Sequence, residues 1–213
     1  MNRAAPTHGH VFAIIPVGTL EGAKSRLGET LDAEERRDLA TRMAHRTIEA
    51  AVATPGIDEV LVVTPDQAVR DLALAAGARP LRQRSQGLNR GLREAREEAL
   101  AAGADAIVVL PIDLPLISPE ALGRVLERLS DPERPLVVLV SDRHRRGTNV
   151  LLVAPPDAIE FGFGGDSRAA HAECAAEAGA RLVELDGPLT LDLDTPDDLL
   201  LIEQQAPERV HAG

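Results

Sequence analysis

Asp105-Ala106-Ile107-Val108-Val109-Leu110, running into Pro111-Ile112-Asp113-Leu114-Pro115, is the stretch from which the fold is read. The apolar run from Ala106 to Leu110 leaves no polar face, as expected of a strand covered on both sides in a parallel sheet. Two prolines then stiffen a turn and hold a single carboxylate, Asp113, at the strand's end.

Working outward, the same kind of short apolar run appears at Val11–Pro16, Glu59–Thr64, Leu136–Ser141, Asn149–Ala154 and Arg181–Leu185. Helical patterns separate these runs. One follows the capping box Asp32-Ala33-Glu34-Glu35 and stops at Thr54-Pro55-Gly56. Others are expected at Asp66–Ala76, Asn89–Ala102, from Ser118-Pro119-Glu120 onward, at Arg168–Ala178, and from Thr195 to about Gln204. Strand–helix alternation predicts an α/β fold: one domain, a mostly parallel sheet, and helices on both faces. Residues 11–205 are expected to form that domain, with 1–10 a flexible start and 206–213 a flexible tail. In such folds ligands sit beyond the carboxyl ends of the strands, so the chemistry is sought just after each one.

Composition narrows the function. The chain has 213 residues and a net charge of −11, a poor match for nucleic acid or an anionic membrane. Three Phe and no Trp or Tyr leave little to stack on bases. Cys174 is the only cysteine, which excludes an intrachain disulfide and a Cys-based metal cluster. No apolar run is long enough to span a bilayer, so the cytoplasm is the expected compartment. The oligomeric state is left open, with a homodimer among the options.

Four places can carry chemistry. The loop after the first strand contains Gly18 and ends in Lys24-Ser25-Arg26, two cations that either clamp a triphosphate or are simply solvated. Gly18-(four residues)-Ala23-Lys24-Ser25 approaches a P-loop, but no helix is expected to open there, so that reading ranks low. In Leu191-Asp192-Leu193-Asp194-Thr195 an extended backbone puts both aspartates on one face and both leucines on the other. Adjacent carboxylates repel unless a cation lies between them, and magnesium is the hard ion that suits oxygen ligands and phosphates. Gly147-Thr148-Asn149 precedes a strand, and Gly164-Gly165-Asp166-Ser167 precedes a helix, either as an ordinary cap or as an anion site. Asn89 is a helix cap or a nucleotide contact. His171, inside a helix, reads as a packing or surface residue rather than a base, and Cys174 as a small buried side chain.

Together, Pro16-Val17, Ala23-Lys24-Ser25-Arg26-Leu27, Gly87-Leu88-Asn89, Pro111-x-Asp113-Leu114-Pro115, Gly147-Thr148-Asn149, Gly164-x-x-Ser167-x-x-x-His171 and Leu191-Asp192-x-Asp194-Thr195-Pro196-x-Asp198-Leu199 resemble one family. It is the guanylyltransferase family of coenzyme F-420 biosynthesis, and the likeness runs from about Val11 to Leu201. The resemblance implies a Rossmann-like fold of the nucleotide-diphospho-sugar transferase kind and transfer of GMP from GTP to phosphoenolpyruvate, 2-phospholactate or 3-phosphoglycerate. It further implies Mg2+ on Asp113, Asp192 and Asp194, the phosphorylated acid on Thr148, Gly164 and Ser167, and Lys24 and Arg26 facing the triphosphate. One departure stands out: members commonly carry Lys after Pro-Val, and this chain has Gly18. The Ala- and Arg-rich composition suggests a GC-rich bacterial genome, which favours phosphoenolpyruvate as the acid. Competing expectations are a cytidylyl- or sugar-nucleotide transferase of the same fold and a non-catalytic nucleotide-binding module.

Overall fold

A computed structural model describes residues 9–205. Of the expected flexible ends, 1–10 and 206–213, residues 1–8 and 206–213 lie outside the described residues. Seven strands form one sheet: β1 (Val11–Pro16), β2 (Glu59–Thr64), β3 (Arg79–Arg82), β4 (Ala106–Val109), β5 (Leu136–Ser141), β6 (Thr148–Ala154) and β7 (Arg181–Leu185). Their spatial order is β3-β2-β1-β4-β6-β5-β7. All are parallel except β6, which runs antiparallel to both β4 and β5.

Alternation along the strands explains why both faces need cover. In β1, Val11, Ala13 and Ile15 enter one core and Phe12 and Ile14 the other. The first face is covered by α1 (Ala33–Val52), α2 (Gln67–Ala75) and α4 (Pro119–Leu126), through residues such as Ile48, Val69 and Leu122. The second is covered by α3 (Leu88–Ala101) and α5 (Ser167–Glu177), through Leu92, Ala95, Ala99 and Ala175. A smaller cluster joins Leu27, Leu39 and Met43 to Leu191, Leu193 and Ile202 of the chain that enters α6 (Pro196–Gln205).

Several expectations hold residue for residue. Asp32 caps α1 through a reciprocal box with Glu35, and Ser118 caps α4 ahead of Pro119. Lys24-Ser25 does not open an α-helix; Ser25–Leu27 is one 3-10 turn, consistent with the low rank of the P-loop reading. Other details differ. β3 was not anticipated: Arg79-Pro80-Leu81-Arg82 has no apolar alternation, and its proline and arginines suit a blunted sheet edge. α3 starts at Leu88 behind Gly87 at φ 96°, so Asn89 is inside the helix and is not its cap. α5 starts at Ser167, one residue earlier than expected, and no side chain caps it.

Candidate active site

Because β6 is reversed, its first residues lie beside the carboxyl ends of β4 and β5. Thr148 pairs with Ser141 at the end of β5. The turn after β4 and the start of β6 therefore open into one cleft of about 520 Å³. Arg26, Asp113, Arg143, Thr148, Ser167 and Asp192 are among its lining residues.

One wall is acidic. The Leu193 amide donates to the Asp113 carbonyl at 2.9 Å, which stitches the 191–195 segment to the turn after β4. This segment forms no strand, yet the expected alternation holds: Leu191 and Leu193 are buried while Asp192 and Asp194 face the cleft. Leu193 is pinned by its amide, and both leucines are buried in the small third cluster. Arg46 of α1 donates to the Pro115 carbonyl at 3.1 Å and steadies the turn.

The acidic wall carries more negative charge than its neighbours neutralise. Burial raises the Asp113 carboxyl; Lys24 opposes this and Asp194 adds to it. Asp192 is raised from 3.8 to about 6, first by burial and then by Asp113. Asp194 is already engaged. Lys24 Nζ lies 3.0 Å from its Oδ1 and 2.6 Å from the Leu193 carbonyl, and Arg26 lies 3.7 Å from its Oδ2. Lys24 is thus a buried tether of the acidic segment, its side chain 9% exposed, whereas Arg26 is 75% exposed at the cleft. Among the described residues no three His, Cys, Asp or Glu side chains form a ready-made metal cage. Magnesium keeps waters and substrate phosphates in its shell and needs only one or two protein carboxylates. The under-neutralised pair Asp113 and Asp192 fits that demand.

Behind this wall Asp198 acts as a lock. Its Oδ2 accepts from the amides of Asp194 and Thr195 and from the Thr195 hydroxyl, and Arg143 reaches its Oδ1 at 2.6 Å. Burial alone would raise this carboxyl, but the hydrogen bonds and Arg143 hold it below its ordinary value. Thr195 caps α6, as expected, within a box closed by Asp198.

The opposite wall is made of hydroxyls and amides. Thr148 and Ser167 are buried, with the Ser167 hydroxyl accepting from the Thr148 amide at 2.9 Å. His171, fully buried, lies 2.9 Å from the Thr148 hydroxyl through Nδ1 and accepts from the Gly162 amide at 3.0 Å through Nε2. Burial lowers its pKa to about 4, so it is neutral at physiological pH. It is buried and neutral and not poised as a base, in line with the sequence reading. Gly164 and Gly165 complete the wall.

Asn89 does not reach into the cleft. Its side chain donates to the Phe163 carbonyl and accepts from the Phe163 amide, both at 2.9 Å. It staples α3 to the loop before α5, a role the sequence did not indicate. Asp142, Arg143 and His144, in the hairpin between β5 and β6, line the cleft and were not singled out from the sequence. Asp142 folds the hairpin back by accepting from the amides of Arg146 and Gly147 at 2.8 and 2.9 Å. A Cβ on Gly147 would lie 2.9 Å from that carboxylate, so a larger residue there would have to push the Asp142 side chain aside. The run Asp142-Arg143-His144-Arg145-Arg146-Gly147 between two apolar strands was the available signal.

Comparison with known proteins places this geometry. The family model described as guanylyl transferase CofC like matches residues 11–205. A phosphoenolpyruvate guanylyltransferase of Rubrobacter xylanophilus is 44% identical over 91% of this chain and 93% of its own. One of Sphaerobacter thermophilus is 41% identical over 92% and 94%. Among solved structures, a nucleotidyl transferase from Methanothermobacter thermautotrophicus superposes with a TM-score of 0.64 at 19% identity, covering 92% of this chain and 97% of its own. That likeness establishes the nucleotidyltransferase fold. The chain belongs to the family of CofC-like guanylyl transferases.

Proposed function

We propose that this protein transfers GMP from GTP to the phosphate of phosphoenolpyruvate and releases pyrophosphate, in the cytoplasm, as a step in making coenzyme F-420. The observation that carries the reading is the division of the cleft: an acidic wall at Asp113 and Asp192 faces a neutral wall of hydroxyls and amides at Thr148, Gly164 and Ser167. The relatives that share this chain's length are named for that reaction.

In the mechanism, an oxygen of the acid's phosphate attacks the α-phosphorus of GTP. A new P–O bond forms there as the bond to the β-phosphate oxygen breaks. The departing electron pair leaves with pyrophosphate. A phosphate monoester is largely ionised at neutral pH, with a second pKa of about 6, so no side chain has to remove a proton. The cleft agrees: His171 is buried, neutral and bonded at both ring nitrogens. Asp113 and Asp192 would hold Mg2+, joined by the Asp194 oxygen lone pairs that Lys24 leaves open. When bound, that ion neutralises charge on the triphosphate and on the developing transition state. Arg26 is exposed at the mouth and supplies a further cation to the triphosphate. Thr148, Gly164 and Ser167 hold the acid and fix the angle of attack.

The test supplies purified protein with magnesium, one nucleoside triphosphate from a panel, and phosphoenolpyruvate, 2-phospholactate or 3-phosphoglycerate separately. Pyrophosphate release and adduct mass are measured. The expected result is the highest specificity constant for GTP with phosphoenolpyruvate. A higher one for another acid replaces the acceptor, one for CTP replaces the base, and no adduct in any combination overturns the enzymatic reading.

A further inference from the structure

We propose that His171 is a positioning residue that makes the Thr148 hydroxyl an obligate hydrogen-bond donor into the acid-binding wall of the cleft. The proposal rests on the reading of that wall as the seat of the phosphorylated acid.

The Gly162 amide donates to Nε2 at 3.0 Å, and an amide N–H has no lone pair to offer in return, so Nε2 is the unprotonated nitrogen. The ring is neutral in its buried setting, which places its single proton on Nδ1. Nδ1–H therefore donates to the Thr148 hydroxyl oxygen at 2.9 Å. That oxygen's own proton is then free for another acceptor. Among the described residues no other partner is found for it, and Thr148 lines the cleft. Ser167 follows the same logic: its oxygen is occupied by the Thr148 amide, so its proton too is available.

Two neighbouring hydroxyls are thus polarised alike, each accepting from the protein and each with one proton to give. Such a wall suits an acceptor-only group, a carboxylate or phosphate oxygen, and disfavours a ligand hydroxyl. The ring cannot easily rotate out of this arrangement. Phe163 packs edge-on against it at 4.8 Å between centroids, and the Gly162 amide holds Nε2 at 3.0 Å.

The experiment uses two amide substitutions. Asn carries its amide nitrogen as many bonds from the backbone as Nδ1, and Gln carries its terminal atoms as far as Nε2. His171→Asn can still donate to Thr148, whereas His171→Gln keeps only the Gly162 contact. For His171→Gln, the KM for phosphoenolpyruvate is expected to rise about tenfold or more, the worth of a lost charge-assisted donor, with the KM for GTP within about twofold. His171→Asn should recover most of that loss. In a Thr148→Val background, His171→Gln should add nothing to the acid KM. A long-range proton–nitrogen correlation spectrum of the intact wild-type protein should show Nδ1 protonated. An Nε2–H tautomer or an imidazolium at neutral pH overturns the inference. So does a His171→Gln enzyme with lowered melting temperature and unchanged acid KM, or equal losses for acid and GTP. Failure of the functional reading looks different: wild-type protein turns over none of the acids, the cleft loses its assigned ligand, and the acid-binding half of this inference falls with it, while the spectrum still decides the direction of the hydroxyl.

Discussion

The two walls of the cleft solve opposite electrostatic problems. At the hydroxyl wall both ring nitrogens of His171 and the hydroxyl oxygens of Thr148 and Ser167 have protein partners, which leaves the two hydroxyl protons for a ligand. The acidic wall is the reverse. Asp113 and Asp192 have raised carboxyl pKa values, by burial first and by neighbouring carboxylates second, and the backbone stitch at Leu193 and the lock at Asp198 hold the acidic segment in place. One wall is preorganised by satisfaction and the other by frustration. Recognition suits the first, because a neutral wall can hold an anion without competing charges. Charge neutralisation at phosphorus suits the second, because a cation bound there relieves repulsion that the fold has already built in.

The sharpest way to break this division is Asp113→Asn. The amide preserves shape but removes the charge, and turnover is expected to fall by about 10²–10³ or more, the scale seen when a preorganised electrostatic contact is lost. The affinity for phosphoenolpyruvate should stay within a fewfold of wild type, because the proposed seat of the acid is the other wall. Steady-state kinetics with calorimetric titration of the acid checks both halves. A variant that loses acid affinity and turnover in parallel would show that the walls are not separable.

Much of this arrangement was legible in the chain itself, and the parts that were not share a cause. β1, β2, β5 and β7 were placed to the residue because their apolar runs have abrupt polar ends. The Asp192 and Asp194 face was legible because period 2 survives without a sheet partner, enforced by buried Leu191 and Leu193. Long-range pairing was hidden. Nothing near Lys24 indicates that its ammonium is spent on a carbonyl and carboxylate 169 and 170 residues away. Nothing near Asn89 indicates a partner at Phe163, 74 residues on. A side chain's local signature tells what it can do, and only the fold tells what it is already doing.

Lys24 and Arg26 sharpen the comparison on a smaller scale, since they lie two residues apart and touch the same carboxylate. Lys24→Ala leaves the Leu193 carbonyl and Asp194 without their buried donor and should cost about 2–3 kcal/mol of stability. Arg26→Ala removes an exposed contact at 3.7 Å and should change stability by no more than about 0.5 kcal/mol. Its effect should appear instead as a GTP affinity weakened about tenfold, the low end of a charge-assisted contact. Chemical denaturation and GTP calorimetry on both variants separate the roles. Equal stability losses would mean that both cations are tethers.

The smallest effect concerns the acidic wall without its cation. The folded pKa of Asp192 is raised from 3.8 to about 6, so the fold binds this proton more tightly than the unfolded chain does. Its contribution to stability is fully present below about 3.8 and is lost as pH rises through about 6; Asp113, raised as well, acts in the same direction. His171 runs the other way. Its pKa is lowered from 6.5 to about 4, so its contribution is present above 6.5 and lost as pH falls toward 4. The two opposing slopes overlap between about pH 4 and 6, and the wild-type profile alone cannot separate them. The difference between wild type and Asp192→Asn can, because the amide does not titrate and His171 is common to both. In metal-free buffer the variant should gain on wild type by about 1–2 kcal/mol as pH rises from about 4 through 6, a value discounted from the full linkage because Asp192 keeps some solvent contact. Millimolar magnesium should erase that gain by stabilising only the ionised wild-type wall. Calorimetric melting at several pH values, with and without the ion, decides it: a pH-independent difference would show that burial and the neighbouring carboxylates do not raise Asp192, and the contrast between the two walls would fail.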